Sequence, residues 1–313
     1  MPTAPRRTFE AAPGIAAVDT RMAGSSRVTS AYLVRADQPA LVETGPTTSF
    51  EAVVQGLDDL GIGPGDLAHI VLTHIHLDHA GGVGRIAERF PRATVWVHER
   101  GAPHLADPAK LVSSVARVYG EDRMRQLFGP VDPVPTERIR SLSGGERISL
   151  GNRHLDVLAT PGHASHHLAL ADGETDAVFV GDALGIHLPD ANVLRPATPP
   201  PDIDIESGAD SIERIRDRVG SLLLFSHFGP VAETDALCEL AVARLRKWGD
   251  IVRGAMGVTD DLNEITTILR DATDGEFADA GEEERSRYEV LSTMRMNASG
   301  LVRYWRKRAE QDA

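Results

Sequence analysis

The chain has 313 residues, 42% of them hydrophobic, which is enough to bury a substantial core in one large domain or two smaller ones. Its net charge of −13 and the lack of a dense Lys/Arg patch before the last predicted helix argue against a nucleic-acid-binding protein, which must neutralise phosphates. A negative total charge is still compatible with a local basic pocket for a small substrate. The single cysteine, Cys238, excludes an internal disulfide.

The sequence contains no pattern typical of export or of membrane insertion. A polar segment rather than an apolar run follows Arg6 and Arg7. No stretch approaches the roughly 20 apolar residues that a membrane-spanning helix needs. We therefore predict a cytoplasmic protein that acts on a small molecule and binds neither nucleic acid nor membrane.

The first third of the chain predicts an alternation of strands and helices. The strand predictions rest on short apolar or alternating runs, and the helix predictions on apolar residues that recur three and four positions apart. In chain order the predicted elements are strands at 14–19, 28–35 and 39–43, a helix at 50–60, a strand at 70–73, a helix at 82–90 and a strand at 93–98.

The middle of the chain predicts a helical segment followed by a second group of strands. Residues 101–129 have helical periodicity and lie within a predicted insertion at 98–145, which either packs as a spacer, forms a lid over the site or makes a dimer contact. The elements predicted after it are strands at 138–142, 146–150, 153–159, 167–171 and 177–181, a proline-rich loop at 189–201, a helix at 203–219 and a strand at 222–225.

The C-terminal region predicts helices only. Apolar residues at helical spacing indicate helices around 237–248, 262–269 and 288–305, with an exposed acidic connection at 271–284. The basic run at 303–308 either grips an anionic substrate or complements the dipole at a helix end. We predict a catalytic domain at 1–230 and a helical C-terminal extension at 231–313, which leaves a homodimer possible.

The strongest functional signal is the segment THIHLDHAGG at 73–82, which places His74, His76, Asp78 and His79 within six positions. These side chains are of the types that bind zinc, iron or manganese. An apolar run leads into the segment, which indicates a buried strand that ends in a tight loop. If the segment is extended, His74, His76 and Asp78 share one side and a turn brings His79 to a second point. Such a divided cluster suits two neighbouring metals better than one.

Three later side chains repeat the pattern of a polar residue near the end of a predicted strand. They are His163, Asp182 and His227. Each is a weak signal alone, because histidines and Gly-Asp turns are common after strands. Their order after the first cluster makes the combination specific.

The four motifs together resemble those of the metallo-β-lactamase superfamily: His-x-His-x-Asp-His at 74–79, Thr-Pro-Gly-His at 160–163, Gly-Asp at 181–182 and Ser-His at 226–227. The resemblance covers roughly residues 14 to 230. It implies an α/β (α+β) fold, the αββα metallo-β-lactamase sandwich, with a binuclear metal centre at one edge. It is specific for the fold rather than for the substrate.

The resemblance also implies the roles of particular residues. The implied metal ligands are His74, His76 and His163 for the first metal, Asp78, His79 and His227 for the second, and Asp182 as the bridge between the two. Two divalent ions, by default zinc, with iron or manganese as alternatives, would hold a hydroxide that attacks a carbonyl or phosphoryl centre. Asp78 would also orient that hydroxide, so Asp78 and Asp182 are the predicted catalytic residues.

Two further histidines are predicted to support the site. A ligating histidine needs a partner for its other ring nitrogen, and His167 is our candidate for such a supporting contact. His187 lies in the loop after Asp182, where it would touch the substrate or protonate a leaving group. The turn that often reads Asp-Thr-Gly in this superfamily begins with Glu43, which we leave out of the predicted ligands.

These features predict a metal-dependent hydrolase of the glyoxalase II-like or lactonase-like branch that cleaves a small ester, thioester or lactone. A true β-lactamase is disfavoured because it would normally be exported. Lactone-cleaving relatives often carry a tyrosine just after the bridging aspartate. Position 185 is glycine here, which makes a lactone less favoured as the substrate. The alternatives are an iron-dependent redox enzyme similar to persulfide dioxygenases, against which the complete ligand set argues, and a phosphodiesterase or nuclease, against which the acidic charge argues.

Overall fold

The structure, a computed structural model, describes residues 7–188, 190 and 193–311. Parts of several predictions therefore lie outside the described residues: 1–6 of the predicted catalytic domain, which include Arg6, then 189, 191 and 192 of the predicted loop, and 312–313 of the predicted extension. No helix in the described ranges combines the length and apolar character needed to cross a bilayer.

The first sheet has seven strands that lie side by side in chain order. The first four pair antiparallel, and the pairs from the fourth to the seventh are parallel. The strands are β1 (Thr8–Ala12), β2 (Ile15–Asp19), β3 (Ser30–Val34), β4 (Ala40–Val42), β5 (His69–Val71), β6 (Thr94–His98) and β7 (Ile139–Leu142).

The second sheet has six strands in the order β15-β14-β11-β10-β9-β8, and a separate two-stranded sheet pairs β12 with β13. Only the β11–β14 pair in the second sheet is parallel. The strands are β8 (Arg147–Ser149), β9 (His154–Ala159), β10 (Leu168–Asp172), β11 (Val178–Gly181), β12 (Ile186–Leu188), β13 (Val193–Arg195), β14 (Leu223–Phe225) and β15 (Gly229–Val231).

Helices follow the parallel strands and continue alone after residue 233. They are α1 (Phe50–Asp59), α2 (Leu77–Ala80), α3 (Val83–Arg89), α4 (Ala102–Ala106), α5 (Ala109–Tyr119), α6 (Glu121–Phe128), α7 (Ile205–Arg218), α8 (Thr234–Met256), α9 (Leu262–Thr273), α10 (Glu282–Leu291) and α11 (Met294–Gln311). The predicted helical character of 101–129 and of the C-terminal region agrees with these bounds.

The layering follows from the alternation of side chains along the strands. In β2, Ile15 and Ala17 pack between the two sheets, while Ala16 and Val18 face the helices on the outside of the first sheet. Helix α7 and the C-terminal helices cover the outer face of the second sheet, where Trp248 is fully buried. Helices on both outer faces and two sheets between them form the predicted αββα sandwich.

Three element predictions were wrong in detail. Strand β13 lies inside the predicted loop at 189–201. The helix predicted around 288–305 is two helices, because α10 ends at Leu291 and α11 begins at Met294. The predicted exposed connection at 271–284 contains a 3-10 turn whose Phe277 is buried against Tyr288. The acidic composition predicts exposure of the segment as a whole and does not show that one apolar residue in it faces inward. The domain boundary at residue 230 stays a prediction.

Candidate metal centre

The residues predicted as ligands follow strands that end at one edge of the sandwich. His74 and His76 come after β5, and α2 then carries Asp78 and His79 on its single turn. The other three residues, His163, Asp182 and His227, follow β9, β11 and β14. Because α2 begins at Leu77, Asp78 turns away from His74 and His76 and joins His79. The sequence analysis had placed Asp78 on the same side as His74 and His76, on the assumption of an extended segment.

Three imidazole nitrogens converge to form the first group. His74 Nε2 lies 3.1 Å from His76 Nδ1, which lies 2.9 Å from His163 Nε2. Nitrogen ligands about 2.0–2.1 Å from a tetrahedral zinc are about 3.3 Å apart. The observed spacing is therefore close to that of three ligands on one cation.

A second group lies beside the first. Asp78 Oδ2 is 3.6 Å from His79 Nε2 and 3.5 Å from His227 Nε2. Asp182 lies between the groups: its Oδ1 is 3.3 Å from the Nε2 atoms of both His79 and His227, and its Oδ2 is 3.5 Å from His163 Nε2. The structure thus brings all seven predicted ligand side chains together, with one carboxylate facing both groups.

The donor atoms fit divalent cations better than they fit one another. His79 Nε2 and Asp182 Oδ1 are buried and have no aligned hydrogen-bond partner in the described part of the chain. The outer Nδ1 atoms of His163 and His227 lie 2.9 Å and 3.1 Å from the carbonyl oxygens of Ala197 and Val28. A ring that donates from Nδ1 to a carbonyl presents the lone pair of Nε2 to the centre, as metal binding requires.

The pKa values of the histidines differ between the two groups. Burial, followed by the neighbouring histidines, lowers the pKa values of His74 and His76 well below the usual range. Burial alone would also lower the pKa of His79, but the charges of Asp182 and Asp78 outweigh it and raise that pKa well above its usual value. Burial opposes ionisation of Asp182, yet the nearby histidines, His79 foremost, hold its pKa well below normal. These shifts favour neutral His74 and His76 and an ionised Asp182, which are the forms that bind a metal, whereas at His79, and at His227, whose pKa is also raised, a proton competes with the metal.

Glu43, left out of the predicted ligands, contacts the centre from behind. Its Oε1 lies 3.5 Å from His79 Nδ1 and accepts a hydrogen bond from Thr73 Oγ1. It is also close enough to His74 and His79 to form a third group of possible donors. It faces His79 Nδ1, the ring nitrogen on the opposite side from Asp182, so its geometry suits orienting that ring. Glu43 is held at φ +66°, a left-handed backbone conformation that is costly for a non-glycine residue.

His167 supports the centre through the main chain. The backbone amide of Asp182 donates to His167 Nε2 at 3.0 Å, and His167 Nδ1 lies 2.8 Å from Thr160 Oγ1. Gly181 lies directly against this ring at φ +50°, and a Cβ there would lie 2.5 Å from His167 Nε2, so no other residue fits. His167 therefore contacts the backbone of Asp182. The supporting contact predicted from the sequence was instead to the ring of a ligating histidine.

His187 lies on the short strand β12, after Asp182. It is buried with its ring 5.2 Å from that of Phe225, and its backbone amide donates to the His227 carbonyl at 2.8 Å. It is not among the described residues that line the cavity above the centre. A contact of His187 with substrate stays a prediction.

A cavity of about 450 Å³ opens over the centre. Its walls include His76, Asp78, His163, Asp182 and His227, together with side chains of α5 and of the C-terminal helices. Sequence reasoning missed His166, Arg100 and Lys110 as lining residues. His166 lies three positions after the motif that ends at His163, which could have drawn attention to it, whereas the two cations have no sequence pattern that distinguishes them from other surface charges.

The sequence profile described as the Metallo-beta-lactamase superfamily matches residues 25–227, which is more than half of the chain. The chain belongs to the metallo-beta-lactamase superfamily. The family and the fold predicted from the four motifs are thereby confirmed. The superfamily consists largely of hydrolytic metalloenzymes, and its fold implies that divalent metal binds at the cluster of histidines and carboxylates.

Solved structures of superfamily members share the whole architecture. The structure of the archaeal protein ST1585 from Sulfolobus tokodaii has a TM-score of 0.68 at 21% identity, covering 92% of this chain and 98% of that one. The family protein TTHA1429 from Thermus thermophilus has a TM-score of 0.66 at 21% identity, covering 95% of each chain. At this identity the similarity concerns the fold alone.

Sequence relatives match shorter segments. ST1585 is 30% identical over 171 residues, which span 53% of this chain and 62% of the relative. A hydroxyacylglutathione hydrolase from Synechococcus sp. (strain JA-2-3B'a(2-13)) is 30% identical over 155 residues, covering 49% of this chain and 48% of the relative. The match thus spans less than two thirds of either relative.

Proposed function

We propose that this protein is a metal-dependent hydrolase with two divalent ions, most readily zinc, that cleaves a small ester or thioester. The single observation that carries the proposal is the position of Asp182, whose two carboxylate oxygens face the two histidine groups separately. A relative named hydroxyacylglutathione hydrolase supports acyl transfer to water as the reaction class. A lactone is a cyclic ester and belongs to the same chemical class.

The ligand roles proposed for the seven residues follow their grouping. His74, His76 and His163 would hold one ion, Asp78, His79 and His227 the other, and Asp182 both. Bound at these positions, divalent ions would lower the pKa of a water to about 7 and polarise a substrate carbonyl.

The residues of the chain would position the reactants and move the proton. Asp78 lines the cavity and is the most exposed carboxylate of the centre, so its Oδ2 can accept a proton from the attacking water. Water adds to the acyl carbon, the C–O or C–S bond breaks, and that proton passes to the departing oxygen or sulfur. The products are a carboxylic acid and an alcohol or thiol. The buried Asp182 would stay ionised, since its pKa is held well below normal.

A direct test compares metal-loaded protein with ligand variants on 4-nitrophenyl acetate, a simple acetyl thioester and a small lactone. We expect hydrolysis that a chelator abolishes and zinc restores, and a loss of at least about a hundredfold in His74→Ala and Asp182→Ala, because each removes a ligand of the ions that would activate the water. His154→Ala, which changes a histidine far from the centre, should retain the wild-type rate. Unchanged rates in both ligand variants would refute the proposal.

Metal analysis on the same samples separates the alternatives. Two equivalents of divalent metal per chain are expected, with metal content reduced in both ligand variants and circular dichroism showing that they remain folded. One iron per chain with oxygen uptake would instead identify the redox alternative. Chelator-sensitive cleavage of RNA without acyl hydrolysis would identify the nuclease alternative.

A further inference from the structure

Helix α5 has an apolar face that the rest of the protein covers only in part. Leu111, Val115 and Val118 recur at i, i+4 and i+7 on this face, yet α5 contains no fully buried residue. All three line the cavity above the metal centre, and Val118 is 48% exposed. Apolar surface that borders a cavity and stays open to water is typical of a ligand-binding groove.

Other elements complete an apolar wall around this cavity. Tyr119 at the end of α5 packs edge-on against Phe128 of α6, with ring centres 5.3 Å apart, and donates its hydroxyl hydrogen to Met296 Sδ of α11 at 3.4 Å. Phe128, Met296 and Ile186 line the cavity as well. Residues of the predicted insertion and of the predicted extension therefore meet above the centre and enclose one space.

Positive charges stand at the rim of the same cavity. Arg100, Lys110 and Arg117 line it, and none of them forms an ion pair with any residue that the structure describes. Apart from Asp78 and Asp182, the only carboxylate lining the described walls is that of Asp202, which accepts a hydrogen bond from Ser165 at 2.6 Å. A cationic rim is notable in a chain of net charge −13 and favours an anionic ligand.

We propose that α5 is the substrate-recognition element and that the substrate is an amphipathic acyl compound, with an apolar acyl chain and a separate anionic group. The inference rests on the proposed hydrolase function. The acyl carbon would lie beside Asp78 and the histidines of the centre, the chain along Leu111, Val115 and Val118, and the anion near the rim cations. Carboxylate and phosphate share the oxygen geometry that guanidinium and ammonium groups bind, so both are included.

The space available agrees with this assignment. A volume of about 450 Å³ falls in the range of about 300–1,000 Å³ typical of small-molecule pockets. Burial of each additional methylene contributes about 0.8 kcal/mol, which corresponds to about a fourfold gain in binding. Chain length is therefore a sensitive probe of whether the α5 face contacts the acyl group.

The first experiment measures kcat/KM of the metal-loaded protein for 4-acetoxybenzoate and 4-(octanoyloxy)benzoate. We expect the longer ester to be preferred by at least about tenfold, because several methylenes become buried. Val115→Trp, which fills the α5 side of the cavity, should reduce this preference to about threefold or less. Gln126→Trp adds a side chain of the same size on an exposed position of α6 and should preserve it. Equal rates for the two esters, or a preference unaffected by Val115→Trp, would overturn the apolar part of the proposal.

The second experiment locates the anion by comparing three anionic esters with neutral phenyl octanoate. 4-(Octanoyloxy)benzoate and 4-(octanoyloxy)phenyl phosphate carry the anion on the leaving group, and the monophenyl ester of suberic acid carries it on the acyl chain. At least one should be preferred over phenyl octanoate, and the combined replacement of Arg100, Lys110 and Arg117 by alanine should lower that preference about tenfold. Arg123→Ala, an exposed cation of α6 outside the cavity, should not. An anionic preference that the triple variant retains, or no such preference at all, would overturn the cationic part.

A binding measurement separates failure of this proposal from failure of the hydrolase proposal. 4-Octyloxybenzoate is an ether with no bond to hydrolyse, and calorimetry with metal-loaded protein should show tighter binding than for 4-octyloxybenzamide. Binding that the triple variant loses, in a protein that hydrolyses no ester, would support the recognition site and refute the hydrolase. Ester hydrolysis that depends on neither chain length nor charge would support the hydrolase and refute the recognition site.

Discussion

Asp182 illustrates how a single side chain depends on residues that never touch a metal. Its carboxylate is shared by the two histidine groups, and its backbone amide is fixed by His167 Nε2. The ring of His167 is in turn fixed by the hydroxyl of Thr160. A carboxylate that has to face two groups at once tolerates little rotation. The hydrogen bond from the Asp182 amide to His167 Nε2 helps to hold the carboxylate in the orientation that both groups require.

Replacement of His167 by alanine should therefore lower metal affinity by about 10–100-fold, the usual effect of removing a partner behind a metal site. His167→Gln retains an acceptor near the amide of Asp182 and should lose less. Competition with a chromophoric chelator measures the affinity, and His154→Ala serves as the histidine control. If His167→Ala lowers the free energy of unfolding but leaves metal affinity unchanged, the residue has only a packing role.

Glu43 should affect the second group of ligands more than the first. Its carboxylate lies directly behind His79, whereas it contacts the first group only at His74, where Thr73 Oγ1 donates to Glu43 and lies 3.0 Å from His74 Nδ1. Glu43→Gln keeps the size of the side chain but removes the charge that favours the ring orientation of His79. We expect the second equivalent of metal to bind at least about tenfold more weakly, with a smaller effect on the first.

Stepwise metal titration with elemental analysis checks this prediction, and Glu51→Gln, an exposed change in α1, is the matched control. An equal weakening of both equivalents would show that Glu43 holds the loop as a whole and has no specific role at His79.

The C-terminal helices are attached to the rest of the protein by an unusual buried cation. Arg195 of β13 is 1% exposed, and its guanidinium lies 4.1 Å from the ring centre of Phe277, 4.8 Å from that of Trp248 and 5.0 Å from that of Tyr288. Its charge partner is Glu276 at 3.3 Å, which also lies 3.2 Å from Lys247 Nζ. The aromatic rings are contributed by α8, α10 and the segment between α9 and α10, so one side chain joins three elements.

Removal of the Glu276 charge alone should destabilise the protein more than removal of the Glu276 and Arg195 charges together. Glu276→Gln leaves Arg195 buried without a carboxylate and should lower the free energy of unfolding by about 3–5 kcal/mol. Arg195→Met combined with Glu276→Gln replaces the pair by an apolar side chain that fits among the three rings, and should recover most of the loss. Urea denaturation measures both, with Glu283→Gln on the exposed side of α10 as control. A double variant no more stable than Glu276→Gln alone would contradict this account.

At the scale of the whole molecule, the sequence predicts what is periodic or contiguous. The strands other than β1, β12, β13 and β15 follow from local alternation or apolar runs, α1, α3 and α7 follow from helical spacing, and the combination of four motifs identifies the fold. Strand β13 has only three residues and is followed directly by Pro196, and the burial of Phe277 depends on Arg195, which is distant in the chain. Likewise, the contact of Glu43 with His79 and the convergence of the rim cations arise only when remote segments meet. Such long-range contacts leave no pattern in a single sequence.

A buried ion pair of the second sheet, outside the metal centre, also contacts the turn between β1 and β2 of the first sheet. Arg153 Nε and Nη2 donate to the two carboxylate oxygens of Asp172 at 2.5 Å and 2.8 Å, and Arg153 Nη1 donates to the Pro13 carbonyl of the first sheet at 3.2 Å. Thr175 contributes two further hydrogen bonds to the same carboxylate. Each donor favours the ionised form of Asp172.

This carboxylate should give the protein a specific sensitivity to acid. Burial opposes ionisation of Asp172, but the hydrogen bonds from Arg153 and Thr175 outweigh it and hold its pKa below the ordinary value of 3.8. The unfolded chain therefore binds a proton here before the folded chain does. The stabilisation is complete above pH 3.8 and is lost as the pH falls from there through the folded pKa.

Asp172→Asn should accordingly cost about 3–5 kcal/mol in the free energy of unfolding at neutral pH, because it leaves Arg153 buried without its partner. The difference from wild type should shrink below pH 3.8, where the wild-type carboxylate loses its own advantage as it becomes protonated. Urea denaturation over a series of pH values measures the difference, and Asp217→Asn, an exposed change in α7, should track the wild type throughout. A difference that stays constant down to the most acidic pH at which the protein folds would mean that Asp172 stabilises the sheets through its shape and hydrogen bonds alone, and not through its charge.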